Sequence, residues 1–149
     1  MSNNKFFKIY IFQKLSTRQW CWLWVAYWRL WAALIRIKFK QLFGGMDWLA
    51  KKITVSGAQV KNGASNSTLG LEMHESVRLA ARLHFYHVEC LPKSIVLADM
   101  LRERNMDALL VIGVNKDGKA LSSHAWVELD GMVIAEPDSI HQDFTALKH

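Results

Sequence analysis

Cysteine is scarce: only Cys21 and Cys90 occur in 149 residues, in regions of very different character, which excludes a disulfide framework. Such usage fits a reducing, cytoplasmic setting. Acidic residues are nearly absent from the first 61 positions, where Asp47 stands alone against eight lysines and three arginines. Beyond Lys61 the balance reverses to eight basic and twelve acidic residues, so the formal charge of +6 belongs to the first third of the chain. That third is suited to an acidic partner or an anionic surface, and the rest is not. A membrane-spanning run is also missing. The richest apolar stretch, Gln19 to Ile35, is 17 residues interrupted by Arg29, whereas a bilayer requires roughly 20 largely uncharged ones. No small-residue cleavage motif follows it; Arg36, Lys38 and Lys40 do, which argues against secretion. Basic and aromatic residues occur together, but no recognition motif frames them, which speaks against nucleic acid as a partner. No internal repeat or extended low-complexity tract is present.

What is present is enough apolar material, 51% of the chain, for about one domain with a real core. In the stretch from Trp20 to Lys40, Arg18, Arg29, Arg36 and Lys40 fall near one helical face, while Trp20, Trp24, Trp28, Trp31, Leu34 and Ile35 spread over the others. This predicts an amphipathic, tryptophan-rich helix. Tryptophan favours places with one apolar and one wet side. The helix is therefore a candidate for packing on its own domain, for docking a protein partner, or for peripheral association with a membrane surface. Residues 56–70 turn to Gly, Ser, Asn and Thr, the composition of a linker. The expected organisation is a basic helical region over 1–55, a linker over 56–70 and a catalytic core over 71–149.

Within that core, residues 71–87 are good helix formers, with Leu71, Val77, Ala81 and Phe85 available for an inner face. A second helix is expected over about 91–104. Pro92 suits its first turn, Arg102 and Arg104 favour its C-terminal end, and Asn105 is the stop. Residues 108–114 read as a buried strand and 122–129 as a second strand. Asp130-Gly131 is a two-residue hairpin signal, and 132–135 is the returning strand. Alternation puts His124, Trp126 and Glu128 on one face of the middle strand. The outcome is an α+β domain: N-terminal helices, then a helix packed on a small antiparallel sheet.

The chemistry concentrates in two residues. Cys90 stands at the mouth of the second helix, and His124 lies 34 positions later in the strand His-Ala-Trp-Val-Glu. A helix dipole and an adjacent imidazole both stabilise a charged sulfur, the form in which cysteine is a nucleophile. Cys90 would attack a carbonyl to give an acyl-enzyme, and His124 would serve as base and then as acid. The backbone N–H of Cys90 would help hold the oxyanion. Cys21, set among tryptophans, reads as packing, as does Trp126. Glu128, Asp130 and Asp117 read as turn or surface charges.

The run CLPKSIVLADMLRERNMDALLVIGVNKDGKALSSHAWVELDGMVI, with Phe144 and Leu147 near the end, resembles the transglutaminase-like, papain-like cysteine peptidase domain of lasso-peptide biosynthesis, the leader-removing B protein. The resemblance covers about 72–147. Its most diagnostic pieces are Cys-Leu-x-Lys-Ser before a helix and His-Ala-Trp-Val-Glu-x-Asp-Gly in a hairpin. It implies cleavage of a leader peptide from a ribosomally made lasso precursor, delivering the core peptide to an ATP-dependent macrolactam cyclase. It implies no cofactor. The family's leader-recognition module, winged-helix-like, is either fused ahead of the peptidase or separate. Nothing in the first 70 residues reads as that module, so the expectation is the split form with a separate leader-recognition protein. The family places an aspartate twelve residues after the histidine. That position is Glu136 here, and Asp138 follows Pro137. Glu136 is favoured by alignment as the third member, with Asp138 as the alternative.

Other classes stay open at this level. Transglutaminase-like acyl transfer to an amine is the enzymatic runner-up, and a non-catalytic adaptor presenting the tryptophan-rich helix is another. His84, His87 and Cys90, with His124, have ligand types that zinc accepts. Against metal binding, the turn into Cys-Leu-Pro breaks the helical face, and His74-Glu75 lacks a zincin's second histidine, whose position holds Arg78.

Overall fold

The computed structural model describes residues 15–43, 63–115, 122–135 and 144–146. Helix α1 (Thr17–Phe43) opens with a capping box. The Gln19 N–H donates to Ser16 Oγ at 3.4 Å, and the Ser16 N–H donates back to Gln19 Oε1 at 3.0 Å. Its buried seam is Leu23, Ala26, Leu30 and Ala33, recurring at helical spacing. The two alanines admit the neighbouring helices closely, so the bulky tryptophans are displaced to the flanks. Trp20 and Trp22 are partly buried against the core, and Trp24 and Trp28 stay 55% and 64% exposed. Cys21 is exposed rather than packed, because it lies off the seam.

Helix α2 (Gly63–Leu83) starts inside the stretch expected to be linker and ends before the expected 87. Residues 63–70 are therefore helical, while 56–62 lie outside the described residues. Tertiary packing overrides the weak local propensity here: a Cβ on Gly70 would stand 3.0 Å from Leu129 Cδ2 and 3.2 Å from Ile134 Cδ1. The inner face also differs from expectation. Met73, Val77 and Ala80 are buried, whereas Leu71 and Phe85 are exposed. The chain leaves the helix where His84 docks on α1: its ring lies 4.4 Å from that of Tyr27, and its Nε2 is 3.2 Å from the Tyr27 carbonyl.

Helix α3 (Cys90–Arg102) is buried nearly all round, from Pro92 through Leu101, because it packs against α1, α2 and the sheet together. Apolar residues on every side are what such a sandwiched helix requires. It ends at Arg102, short of the expected 104, and the turn after it closes at Asn105, whose φ of 58 is the left-handed conformation asparagine tolerates. The Asn105 and Met106 N–H groups donate to the carbonyls of Arg102 and Leu101.

Strands β1 (Ala108–Asn115), β2 (Ser122–Leu129), β3 (Met132–Val133) and β4 (Thr145–Ala146) form one antiparallel sheet in the order β3-β2-β1-β4. The β2–β3 turn has φ of 52 at Asp130 and 78 at Gly131, the positive values a two-residue hairpin of the I′ kind needs. Val127 and Leu129, with Ala108 and Leu110, face the helices and share one core with α1, α2 and α3. Val111 and Trp126 point to the other face, covered by Val133, Phe144 and Ala146. This α+β arrangement is the expected one, except that β3 is shorter and β4 was not foreseen. No helix among the described residues is long and apolar enough to cross a membrane.

Candidate active site

Cys90 is the first residue of α3, preceded by Glu89 in extended conformation, whose side chain makes no capping hydrogen bond. The helix thus begins abruptly, with the half-buried thiol and its own N–H at the tip. His124 is carried by β2 opposite Gly113 of β1. Its ring stacks on that of Trp126 at 6.4 Å and 18° and tilts against Phe144 at 5.6 Å. The expected shared face of β2 is therefore present, and Trp126 Nε1 donates to Glu128 Oε1 at 3.0 Å. Glu128 is thus half-buried and engaged, not a solvated surface charge.

One cavity of about 240 Å³ brings these elements together. Cys90, Lys93 and Ser94 come from α3, His74 and Arg78 from α2, and residues 124–127 from β2. Ile134 and Ala135 close one side. The alignment of α3 on β2 is fixed by a buried hydrogen bond from Ser94 Oγ to the Ala125 carbonyl at 2.8 Å. Directly after Val133 the chain bonds once more to β2, Ile134 N–H to Val127 O at 3.0 Å, and then takes a φ of 57 at Ala135. A left-handed alanine is strained by the standards of non-glycine residues. Glu136 and Asp138, the two candidates for a third member, lie outside the described residues, as does Asp117.

Sequence reasoning had quoted Lys93, Ser94 and Phe144 without giving them a part. The signal was available only for Ser94, whose spacing of four from Cys90 puts it one helical turn deeper on the same face. The metal reading is not reproduced: among the described residues no three His, Cys, Asp or Glu side chains gather as a ligand set. His84 turns to Tyr27, and His87 lines grooves that contain neither Cys90 nor His124.

Chemically, the arrangement offers a thiol at a helix start and an imidazole-bearing strand lining one cavity. Residues 33–149 match the transglutaminase-like superfamily. Over 108 residues the chain is 27% identical to the microcin J25-processing protein McjB of Escherichia coli, covering 68% of the chain and 51% of that protein. The chain thus spans about half the length of this relative. No solved structure matches.

Proposed function

Because the chain belongs to the transglutaminase-like superfamily, we propose that it is a cysteine endopeptidase that removes the leader from a lasso-peptide precursor through an acyl-enzyme on Cys90. The observation that carries this reading is the common cavity, lined both by Cys90 at the tip of α3 and by His124 on β2. Similarity to a microcin-processing protein supports the substrate class.

The cycle follows from the groups present. The Cys90 thiolate adds to the scissile carbonyl, forming a C–S bond and a tetrahedral oxyanion that the Cys90 N–H helps stabilise. Protonated His124 gives its proton to the departing amine, the C–N bond breaks, and a thioester remains on Cys90. His124 then takes a proton from water, whose oxygen attacks the thioester; the C–S bond breaks, the new carboxyl end is released, and the Cys90 thiolate and protonated His124 are restored. A carboxylate next to the imidazole would hold its tautomer. Ile134 and Ala135 line the cavity and Glu136 follows them in sequence, which supports Glu136 in that part, with Asp138 as the alternative.

The precursor is delivered by a separate leader-recognition protein, and the released core passes to an ATP-dependent cyclase. Delivery raises the local substrate concentration toward roughly millimolar, so cleavage of full-length precursor accelerates by orders of magnitude when that protein is added. The test is incubation with precursor, with and without the recognition protein, followed by mass measurement of both fragments. Hydrolysis adds one water across the cut bond; a product carrying an added amine instead would establish acyl transfer. An intact precursor under both conditions would refute the peptidase reading.

A further inference from the structure

The wall of the Cys90 cavity continues into a second groove of about 530 Å³. The two share Arg78 and Lys93. Beyond them the second groove is lined by Arg82, Phe85, Tyr86 and His87. No carboxylate lines either cavity among the described residues. Arg78 already has a counter-charge, donating from both Nε and Nη2 to Glu75 Oε2. Lys93 and Arg82 form no ion pair among the described residues. Lys93 is half-buried, its stem lying along the groove, so that its ammonium is available to meet an anion bound there. Phe85 and Tyr86, which line the second groove, stand 90% and 67% exposed, an unusual display of aromatic surface that a passing chain would cover.

From this shared lining we infer that Lys93 and Arg82 form a carboxylate subsite, selecting substrates with an acidic side chain close to the bond that is cut. The inference rests on the peptidase reading above and names a chemistry for its substrate. Lys93 is three residues beyond Cys90 on the same helix, a rise of about 4.5 Å. An extended peptide advances roughly 3.3 Å per residue. The acidic residue therefore lies within about three positions of the scissile bond, and the aromatic pair meets residues farther out.

The experiment uses the full chain and a set of short peptides sharing one cleavable bond, with each of the three positions on either side scanned as Asp, Asn or Lys. At one position the Asp peptide should exceed its Asn twin in kcat/KM by about tenfold, the worth of one charge-assisted hydrogen bond. Added salt should narrow the gap. In the Lys93→Gln, Arg82→Gln double variant the Asp-to-Asn ratio should fall toward one, and in Lys93→Glu the Lys peptide should become the preferred one. Equal cleavage of Asp and Asn peptides at every position by the unaltered protein, or a preference that persists in the double variant, would overturn the subsite. If the chain alone cleaves no short peptide, the comparison moves to binding, and the peptidase reading is decided by the precursor test above. Titration of the Asp and Asn peptides into Cys90→Ala protein then decides the subsite alone: tighter Asp binding supports it and equal binding refutes it.

Discussion

Ser94 Oγ donates to the Ala125 carbonyl at 2.8 Å, tying the residue four beyond Cys90 to the residue one beyond His124. The bond sits where the sheet has run out of partners. β3 pairs only with Glu128 and Leu129, and the Val127 carbonyl takes the Ile134 N–H. Two residues earlier on that edge, the Ala125 carbonyl is satisfied by the helix instead. Ser94→Ala leaves this carbonyl buried without its donor, so unfolding stability should fall by about 1–2 kcal/mol. Because the helix and strand also lose their mutual alignment, kcat should fall more than KM changes. Denaturant titration and steady-state kinetics read the two effects, and unchanged values in both would contradict this role.

Cys90→Ala should abolish cleavage, by about four orders of magnitude or more, and leave the circular-dichroism spectrum and melting temperature close to those of the unaltered chain. Cys21→Ala should change neither activity nor fold, since Cys21 lies exposed on α1. Turnover at the normal rate by the Cys90→Ala protein would end the nucleophile assignment.

His124→Ala should be as damaging as loss of the thiol, and the Cys90→Ala, His124→Ala double variant no worse than either alone, since members of one catalytic unit fail together. Glu136→Gln should cost more activity than Asp138→Asn. The reverse ranking transfers the orienting role to Asp138.

Gly113→Ala should unfold more easily by about 1–3 kcal/mol. The new methyl would stand 2.7 Å from Trp126 Cη2 and Cζ3 and 2.9 Å from Phe144 Cβ, and Trp126, at 1% exposure, has no room to retreat. Since the His124 ring stacks on Trp126, activity should drop as well. A variant as stable and as active as the parent would show that the indole can move freely.

Replacing Trp24 and Trp28 by Ser should weaken assembly with the leader-recognition protein without altering single-turnover cleavage of a short peptide at saturating concentration. Both rings point to solvent from α1 and join an aromatic row through Tyr27. Co-sedimentation with the recognition protein, and with anionic vesicles as the competing partner, measures the effect. Loss of vesicle binding alone would reassign the row to a membrane surface.

The middle of the chain was the most legible. Strand β2 begins and ends where alternation and the Asp-Gly turn put it, and α3 starts one residue before the position that Pro92 and the apolar run behind it pointed to. Periodicity failed where packing rather than pattern decides. Residues 63–70 carry turn-forming side chains, yet the helix holds because Gly70 fits against Leu129 and Ile134. In α1 the tryptophans drew attention as the dominant apolar feature, while the core seam is made of Leu23, Ala26, Leu30 and Ala33. Strand β4 is two residues long, too short to have a period, and its place comes from pairing with Gly113 and Val114. Of the site, Cys90 and His124 could be singled out from residue type and spacing, and both line one cavity. Phe144 and Lys93 could not, because their parts depend on which neighbours the fold brings to them.

The seam of α1 also sets a condition on how the chain is made. Its partners on α3 are complete only after about sixty further residues have been synthesised, an interval of roughly 3 to 12 s at ordinary ribosome speeds. During that time a helix with five tryptophans and no acidic residue must remain without its cover. An exposed tryptophan-rich segment of this kind is prone to associate with another copy before its cover is made, so the yield of folded protein should rise when synthesis is slowed or a chaperone is supplied.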